Sequence, residues 1–431
     1  MNLKKKIKKL IPTEVWQLIR RQYYRYRIRG HVEYKQYNPV IERIRKKDSK
    51  IKAVFLATYS SCWKYDSLYK LMCEDANFEP IILVCPVVNR GNEHMVETLN
   101  ECCSFFDSKG YPYICAYNEN TKECVNLDNL QPDMLFYTNP YQGLIKDQYY
   151  IDNVKDVLTC FVNYGYTNVP FEWGVSLPFH NKVWKFFVEC KDNYKLVKKW
   201  SWINAKNVYV SGYPMYDSYV SCKVESKDWK VKCRNVKKVI WAPHHSISNG
   251  SNMVKFSTFE LHHETMRLLA EKYKDSIQFV FKPHPLLRDQ LYHLDGWGKE
   301  RTDSYYNWWK NNENTTFVNG DYVDLFMSSD AMIHDCASFM IEYLYTRNPV
   351  LFLANCNREE QSNECAKKAF HCHYHATSAE EIDYFLSNVV LAGNDQMKLM
   401  RDNFYNEVLL PPNGCTAAEN MLNEIKKELG R

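Results

Sequence analysis

The sequence predicts an α/β protein of two doubly wound, Rossmann-like domains facing a cleft, preceded by a basic helix. Three observations lead there. A chain of 431 residues exceeds what one ordinary hydrophobic core holds. Short apolar runs alternate with amphipathic segments in two successive series, as strands do when helices join them into a parallel sheet. Polar residues gather just after several of these runs, where doubly wound sheets bind their ligands.

Residues 1–30 come first. They carry ten Lys or Arg against one acid, Glu14. Thr13 is placed to cap a helix running to Gly30, with Val15, Trp16, Leu18, Ile19, Tyr23 and Tyr26 on its apolar side. A basic helix with such a face suits an anionic bilayer, so this segment is expected to hold the protein on a membrane surface.

Residues 31–213 make the expected first domain. "KAVFLATY", "EPIILVCPV", "YPYICAY", "PDMLFYTNPY" and "VLTCFVNYGY" read as strands. "SSCWKYDSLYKLMCED" leads into a helix, and "NEHMVETLNECCSFFDSKG" is a helix stopped by Gly110. "WINAKNVYVSGYPMYD" ends a strand in a Gly-Tyr-Pro turn, and the domain boundary is drawn there. Residues 214–431 repeat the logic with strands "KKVIWAPHH", "IQFVFKPHP", "DAMIHD" and "VLFL". Their helices are "STFELHHETMRLLAEKYKDS", "DLFMSS", "SFMIEYLYTR" and the terminal "CTAAENMLNEIKKELGR".

Composition excludes several classes. Hydrophobic residues make up 45% and charged residues of mixed sign 25%, which is the balance of a packed globular chain. The net charge of +5 is concentrated at the N-terminus, so nucleic acid is not an expected partner. Sixteen cysteines run from Cys62 to Cys415, mostly inside apolar runs such as "IILVCP". That is the habit of free thiols used as small core residues, and it points to a reducing, cytoplasmic compartment. No apolar run reaches the roughly 18 residues of a spanning helix. With no P-loop and no Gly-rich fingerprint after the first strand, kinase and dehydrogenase chemistry is set aside.

The chemistry-bearing residues sit at three strand ends. "APHHS" supplies His244, His245 and Ser246, "KPHP" supplies Lys282 and His284, and "HDCAS" supplies Asp335 and Ser338. Ser338 opens a helix whose first-turn amides suit an anion, although capping that helix is the other use of a serine there. Glu342 follows one turn later. A lone histidine is usually structural; several at successive strand tips fit a diphosphate better.

In order and spacing these motifs resemble the CDP-glycerol glycerophosphotransferases, the teichoic-acid and capsule polymerase group with a GT-B fold. "GYPMYD" looks like the family's Gly-Tyr-Pro-x-x-Asp, "KPHP" its His-Pro element, and "YVDLFMSSDAMIHDCAS" its run ending in Asp-x-Ser-Ser. "WAPHHS", "NPVLFL" and "NGCTAAENMLNEI" match its remaining strands and closing helix, over roughly 205–425. The resemblance implies transfer of glycerol phosphate, or a related polyol phosphate, from a CDP-linked donor to a hydroxyl of a cell-surface glycan or lipid-linked acceptor. It implies a first domain on the acceptor side and a second that binds the donor, with His284 and Ser338 on the diphosphate and Glu342 at the ribose. His245, Ser246, Lys282 and Asp335 are the further donor-side candidates, and His284, His244 and Tyr164 the catalytic ones. No metal and no cofactor is implied, and the expected place is the inner face of the cell membrane.

The chain also departs from the pattern. The family's Asp-Tyr-Ser-Ser is here Asp335, Cys336, Ala337 and Ser338, one hydroxyl fewer. The family's Trp-His-Gly, whose histidine serves as base, is replaced in "FVNYGYTN" by Tyr164 before Gly165. A phenol with a pKa near 10 is a poor base at neutral pH, so His244, His245 and Glu172 stand as alternatives. Two other readings therefore stay open: a GT-B glycosyltransferase using a nucleotide sugar, and a non-catalytic member of a surface-polysaccharide assembly complex. "HCHYH", with Cys365 upstream, offers zinc-type ligands at no standard spacing and reads as an ordinary surface strand or loop.

Overall fold

The computed structural model describes residues 37–431 except 224, 231–234, 248–256 and 355–358, together with 12, 15, 16, 18, 19, 22 and 23. The membrane helix expected over 1–30 lies mostly outside the described residues.

The chain divides into two compact units, 1–217 with 411–431, and 218–410. The first holds strands β1 (Ile51–Ala57), β2 (Phe78–Val84), β3 (Tyr113–Cys115), β4 (Met134–Tyr137), β5 (Leu158–Val162), β6 (Lys185–Val188) and β7 (Val208–Val210). They form one sheet in the order β3-β2-β1-β4-β5-β6-β7, with parallel neighbours throughout. Helices on both faces bury the central strands on both sides, so these strands read as unbroken apolar runs rather than alternating ones. Phe55 of β1, for example, stacks on Phe136 of β4 at 4.4 Å. The connecting helices include α1 (Asn38–Arg45), α2 (Asp66–Glu74), α3 (Asn92–Lys109) and α4 (Lys191–Trp200). Gly110 ends α3 at φ +66°, where a side chain would be strained.

The second unit holds β8 (Lys237–Ala242), β9 (Ile277–Phe281), β10 (Thr315–Phe317), β11 (Ala331–His334), β12 (Val350–Leu353) and β13 (Tyr374–Ala376). Their order is β10-β9-β8-β11-β12-β13, again all parallel. Helices α5 (Phe259–Lys272) and α6 (Gly298–Asn311) pack on this sheet. Trp241 of β8 lies between Phe259, Phe281 and Trp309 at ring distances of 5.0–5.8 Å. This aromatic block fixes the strand ends that follow it. The short strands β6 and β10 are additions to the sequence reading, and β13 is the strand option of the "HCHYH" stretch.

One boundary needs correction. The sequence places the terminal helix Ala417–Leu429 in the second domain, but it packs in the first unit. Its Ala418, Met421, Leu422, Ile425 and Leu429 share one core with Ile44, Leu68 and Met72. Buried Lys185 of β6 pairs with its Glu424 and Glu428. The Asp217 carboxylate accepts the N–H groups of Ala417 and Ala418 at 2.8 and 2.9 Å. Gly212 stands at φ +96°, and a Cβ there would meet the Pro411 ring at 2.6 Å. The "GYPMYD" motif is thus a clamp between two distant stretches of the first unit. Asp217→Ala should destabilise that unit by roughly 1.5–3 kcal/mol, because two helix amides lose a charged acceptor inside the core. Urea denaturation of wild type and variant measures the difference.

Candidate active site

The second sheet reverses its winding between β8 and β11. In doubly wound sheets the crevice beyond the strand ends at such a reversal is where ligands bind. The segments leaving β8 and β11 carry His244, His245 and the Asp335–Ser338 stretch, and His284 leaves β9, the strand beside β8.

Asp335 is 2% exposed and is held entirely by protein donors. Its Oδ1 accepts the His244 N–H at 2.5 Å, and its Oδ2 accepts the Thr258 N–H and hydroxyl at 2.6 and 3.0 Å. Burial pushes its carboxyl up to about 6 in spite of these bonds. The side chain therefore positions the exit of β8 and the start of α5, and its oxygens are turned to the frame rather than outward. Thr258 is a site residue that sequence reasoning missed; a threonine before a helix signals only a cap.

His284 is brought in by the main chain, its N–H donating to Pro243 O at 3.0 Å. The rings of His244, His245 and His284 then converge, with centroids 4.2, 5.3 and 4.1 Å apart. Their ligating nitrogens all lie within 4.8 Å of one another, close enough to consider a metal. The hydrogen bonds speak for an anion instead. Nδ1 of His284 accepts the Leu286 N–H at 3.2 Å, and Nδ1 of His244 faces the Ser246 N–H at 3.3 Å and its hydroxyl at 2.8 Å. A neutral imidazole that accepts at Nδ1 carries its proton at Nε2, so both rings present a donor and not a metal lone pair. Burial, with His245 and Lys282 nearby, lowers His284 to about 4 and keeps it neutral. His334 repeats the device, its Nδ1 meeting the Cys336 N–H at 3.2 Å, but its ring is fully buried.

Lys282 is also buried, and its ammonium donates to Gly320 O at 2.7 Å. Burial pulls its pKa down to about 8, against the pull of Asp321, Asp228 and Asp324. Glu342, read from sequence as a solvated or ribose-facing position, is buried. Its Oε2 accepts the hydroxyls of Tyr322 at 2.6 Å and Tyr219 at 3.3 Å. Ser338 differs from expectation too. It precedes a helix of only four residues, Phe339–Glu342, and makes no side-chain cap bond. Burial raises the Cys336 thiol, and the Phe339 and Ser338 amides with the Ser338 hydroxyl nearby offset part of that rise. The exposed Ser338 is left at the sheet edge without a capping role.

In the first unit Tyr164 leaves β5, and its hydroxyl lies 3.2 Å from that of Tyr141. Burial, then the Tyr141 hydrogen bond, raises the phenol above its ordinary range, which disqualifies it as a base at neutral pH. Glu172 sits in the short helix Glu172–Val175, separated from β5 by nine residues of chain. The residues of "HCHYH" take separate partners: His373 bonds Ala369 O, His375 lies by Phe370 O, and His371 pairs with Glu359.

With this geometry in place, comparison with known proteins gives a direct result. The chain matches the CDP-glycerol:poly(glycerophosphate) glycerophosphotransferase family over residues 180–362. That span contains every donor-side candidate and stops short of Tyr164 and Glu172. No curated protein matches the chain. Among solved structures, the wall teichoic acid polymerase TagF, as a variant soaked with CDPG, is similar at TM-score 0.55 and 14% identity, covering 96% of this chain and 98% of that one. UDP-GlcNAc 2-epimerase from Neisseria meningitidis, bound to UDP-GlcNAc, is similar at TM-score 0.54 and 12% identity, over 88% and 100%. The Methanocaldococcus jannaschii UDP-GlcNAc 2-epimerase gives 0.52 and 14%, over 88% and 100%. The fold is GT-B.

Asp335→Asn tests the frame. A carboxamide satisfies one facing amide and turns its NH₂ toward the other, so CDP binding should weaken by about tenfold or more. The folded carboxyl holds its proton up to about pH 6, whereas the unfolded one loses it near 4. Its stabilising contribution is thus full below the lower value and lost as pH rises through about 6. Melting curves at pH 5 and pH 7 should show a smaller gain on acidification for the variant than for wild type.

Proposed function

We propose that the chain transfers glycerol phosphate, or a related polyol phosphate, from a CDP-activated donor to a hydroxyl of a cell-surface glycan or lipid-linked acceptor. The observation that carries this reading is the pair of Nε2–H donors at the winding reversal, inside the family-matched span. In the reaction the acceptor oxygen bonds to the β-phosphorus while the bond from that phosphorus to the bridging oxygen breaks. CMP leaves with the electron pair, and the hydroxyl proton passes to a base. His284 and His244 donate to the oxygens that gain charge, Lys282 supplies a cation, and Ser338 adds a hydroxyl at the edge. His245 makes no side-chain hydrogen bond among the described residues and is the ring proposed to move the proton. The first unit takes the acceptor, and the basic arm would bring the enzyme to the inner face of the cell membrane.

The likeness to UDP-GlcNAc 2-epimerases keeps one other reading in play, a glycosyltransferase using a nucleotide sugar. Incubation with CDP-glycerol, CDP-ribitol and UDP-sugars, each with a glycan or lipid-linked acceptor, separates them. Release of CMP from a CDP-polyol is expected; release of UDP from a sugar donor would replace this proposal with the other. CDP binding without turnover of any donor would indicate a non-catalytic chain.

Two substitutions divide the roles. His284→Ala should weaken CDP binding by about tenfold or more, since a buried donor to a charged oxygen is lost. His245→Gln should lower kcat by about a hundredfold while leaving the CDP dissociation constant within about threefold. Equal loss of affinity in both would remove the proton-transfer role from His245.

A further inference from the structure

We propose that one edge of the first unit is a contact surface for anionic membrane, built from Phe171, Trp173 and the lysines at the end of α4. Trp173 is 62% exposed and Phe171 43%, and their rings stack at 6.1 Å and 18°. They project from the short helix Glu172–Val175, whose Val175 is the residue turned into the core. Two such rings held side by side in water are unusual, since each forfeits a large burial gain.

The surroundings say what covers them. The Trp200 indole, in the last turn of α4, donates to Pro170 O at 3.0 Å. The Ser176 hydroxyl donates back to Trp200 O at 2.9 Å. This places the exposed Lys198 and Lys199 beside the aromatic pair, with Lys199 over the Trp200 ring at 5.2 Å. Exposed Lys206 follows in the next turn. The same edge is where the chain enters the unit. The Tyr37 hydroxyl donates to Lys182 O at 2.5 Å. Neighbouring Asn181 accepts from the Ser201 hydroxyl at 3.1 Å and the Trp202 N–H at 2.8 Å. In sequence, ten basic residues against one acid over 1–30 precede Tyr37. Aromatic rings at headgroup depth with lysines around them match an anionic interface in both chemistry and charge.

The inference rests on the membrane location in the proposed function and names a surface for it, and its test needs no donor chemistry. The full chain should co-sediment with phosphatidylglycerol–phosphatidylcholine vesicles, less with phosphatidylcholine alone, and less at high salt. Phe171→Ala with Trp173→Ala should cut the partition constant by about tenfold or more, the loss expected for two rings leaving the interface. Lys198→Glu with Lys199→Glu, a purely surface change, should lower binding and flatten its salt dependence. Trp173→Phe should retain binding but lose part of the tryptophan quenching by brominated lipid. Melting temperature and CDP binding should be unchanged in all three variants. Vesicle binding equal to wild type in both the aromatic and the lysine variants would overturn the proposal, whatever the outcome of the donor assays.

Discussion

A single buried carboxylate sets the geometry of the strand tips in the second unit. Asp335 ends β11 and holds the main chain of His244 on one side and of Thr258 on the other. The two strands that flank the winding reversal are thereby locked at their tips, and α5 is fixed at its start. Burying a carboxylate is costly unless its lone pairs are filled. Here the donors are backbone amides and one hydroxyl, groups that cannot swing away. His284 inherits this rigidity through its own main-chain bond to Pro243. A frame built in this way keeps its donors in fixed places, which is the preorganisation the proposed reaction would need.

The choice of imidazole over guanidinium follows from crowding. Three rings with centroids 4–5 Å apart, beside a buried lysine, cannot all be charged. Burial and mutual repulsion keep His284 neutral. Neutral N–H donors bind a resting diphosphate modestly and gain strength as negative charge collects on the leaving group. That difference between ground state and transition state is what accelerates a reaction, and a fixed set of full positive charges would hold donor and product alike.

Much of this was legible in the residues. Apolar runs marked the long strands, and "APHHS", "KPHP" and "HDCAS" marked three strand tips of one sheet. Periodicity could show that Ala417–Leu429 is a helix with one apolar side, yet not which sheet that side covers. That depends on Asp217 and Lys185, about two hundred residues away. The Asp335–Thr258 contact was hidden for the same reason. The length of the helix after Ser338 was not legible: four residues pass at once into a tighter turn, Tyr343–Thr346, and the serine makes no side-chain cap bond. The tautomers of His244 and His284 rest on amides two residues downstream, a local pattern that sequence spacing does permit but does not require.

The tyrosine at position 164 bears on how much a base matters. At the matching edge of the first sheet, Thr58 and Thr138 lie 3.1 Å apart, Asn139 donates to Thr58 at 2.7 Å, and Tyr164 meets Tyr141. These are neutral groups that orient hydroxyls well and accept protons poorly. For attack on an acyl carbon, that would be a serious deficit. Displacement of a good leaving group such as CMP is different, because departure of that group shares the work with bond formation to the incoming oxygen. The attacking hydroxyl becomes acidic late, when its proton can pass to a weak acceptor such as neutral imidazole or to an oxygen of the phosphoryl group itself. For the proposed reaction, donors at the strand ends of the second unit would therefore carry most of the work, and a weak base would suffice whether a phosphoryl group or a sugar is moved.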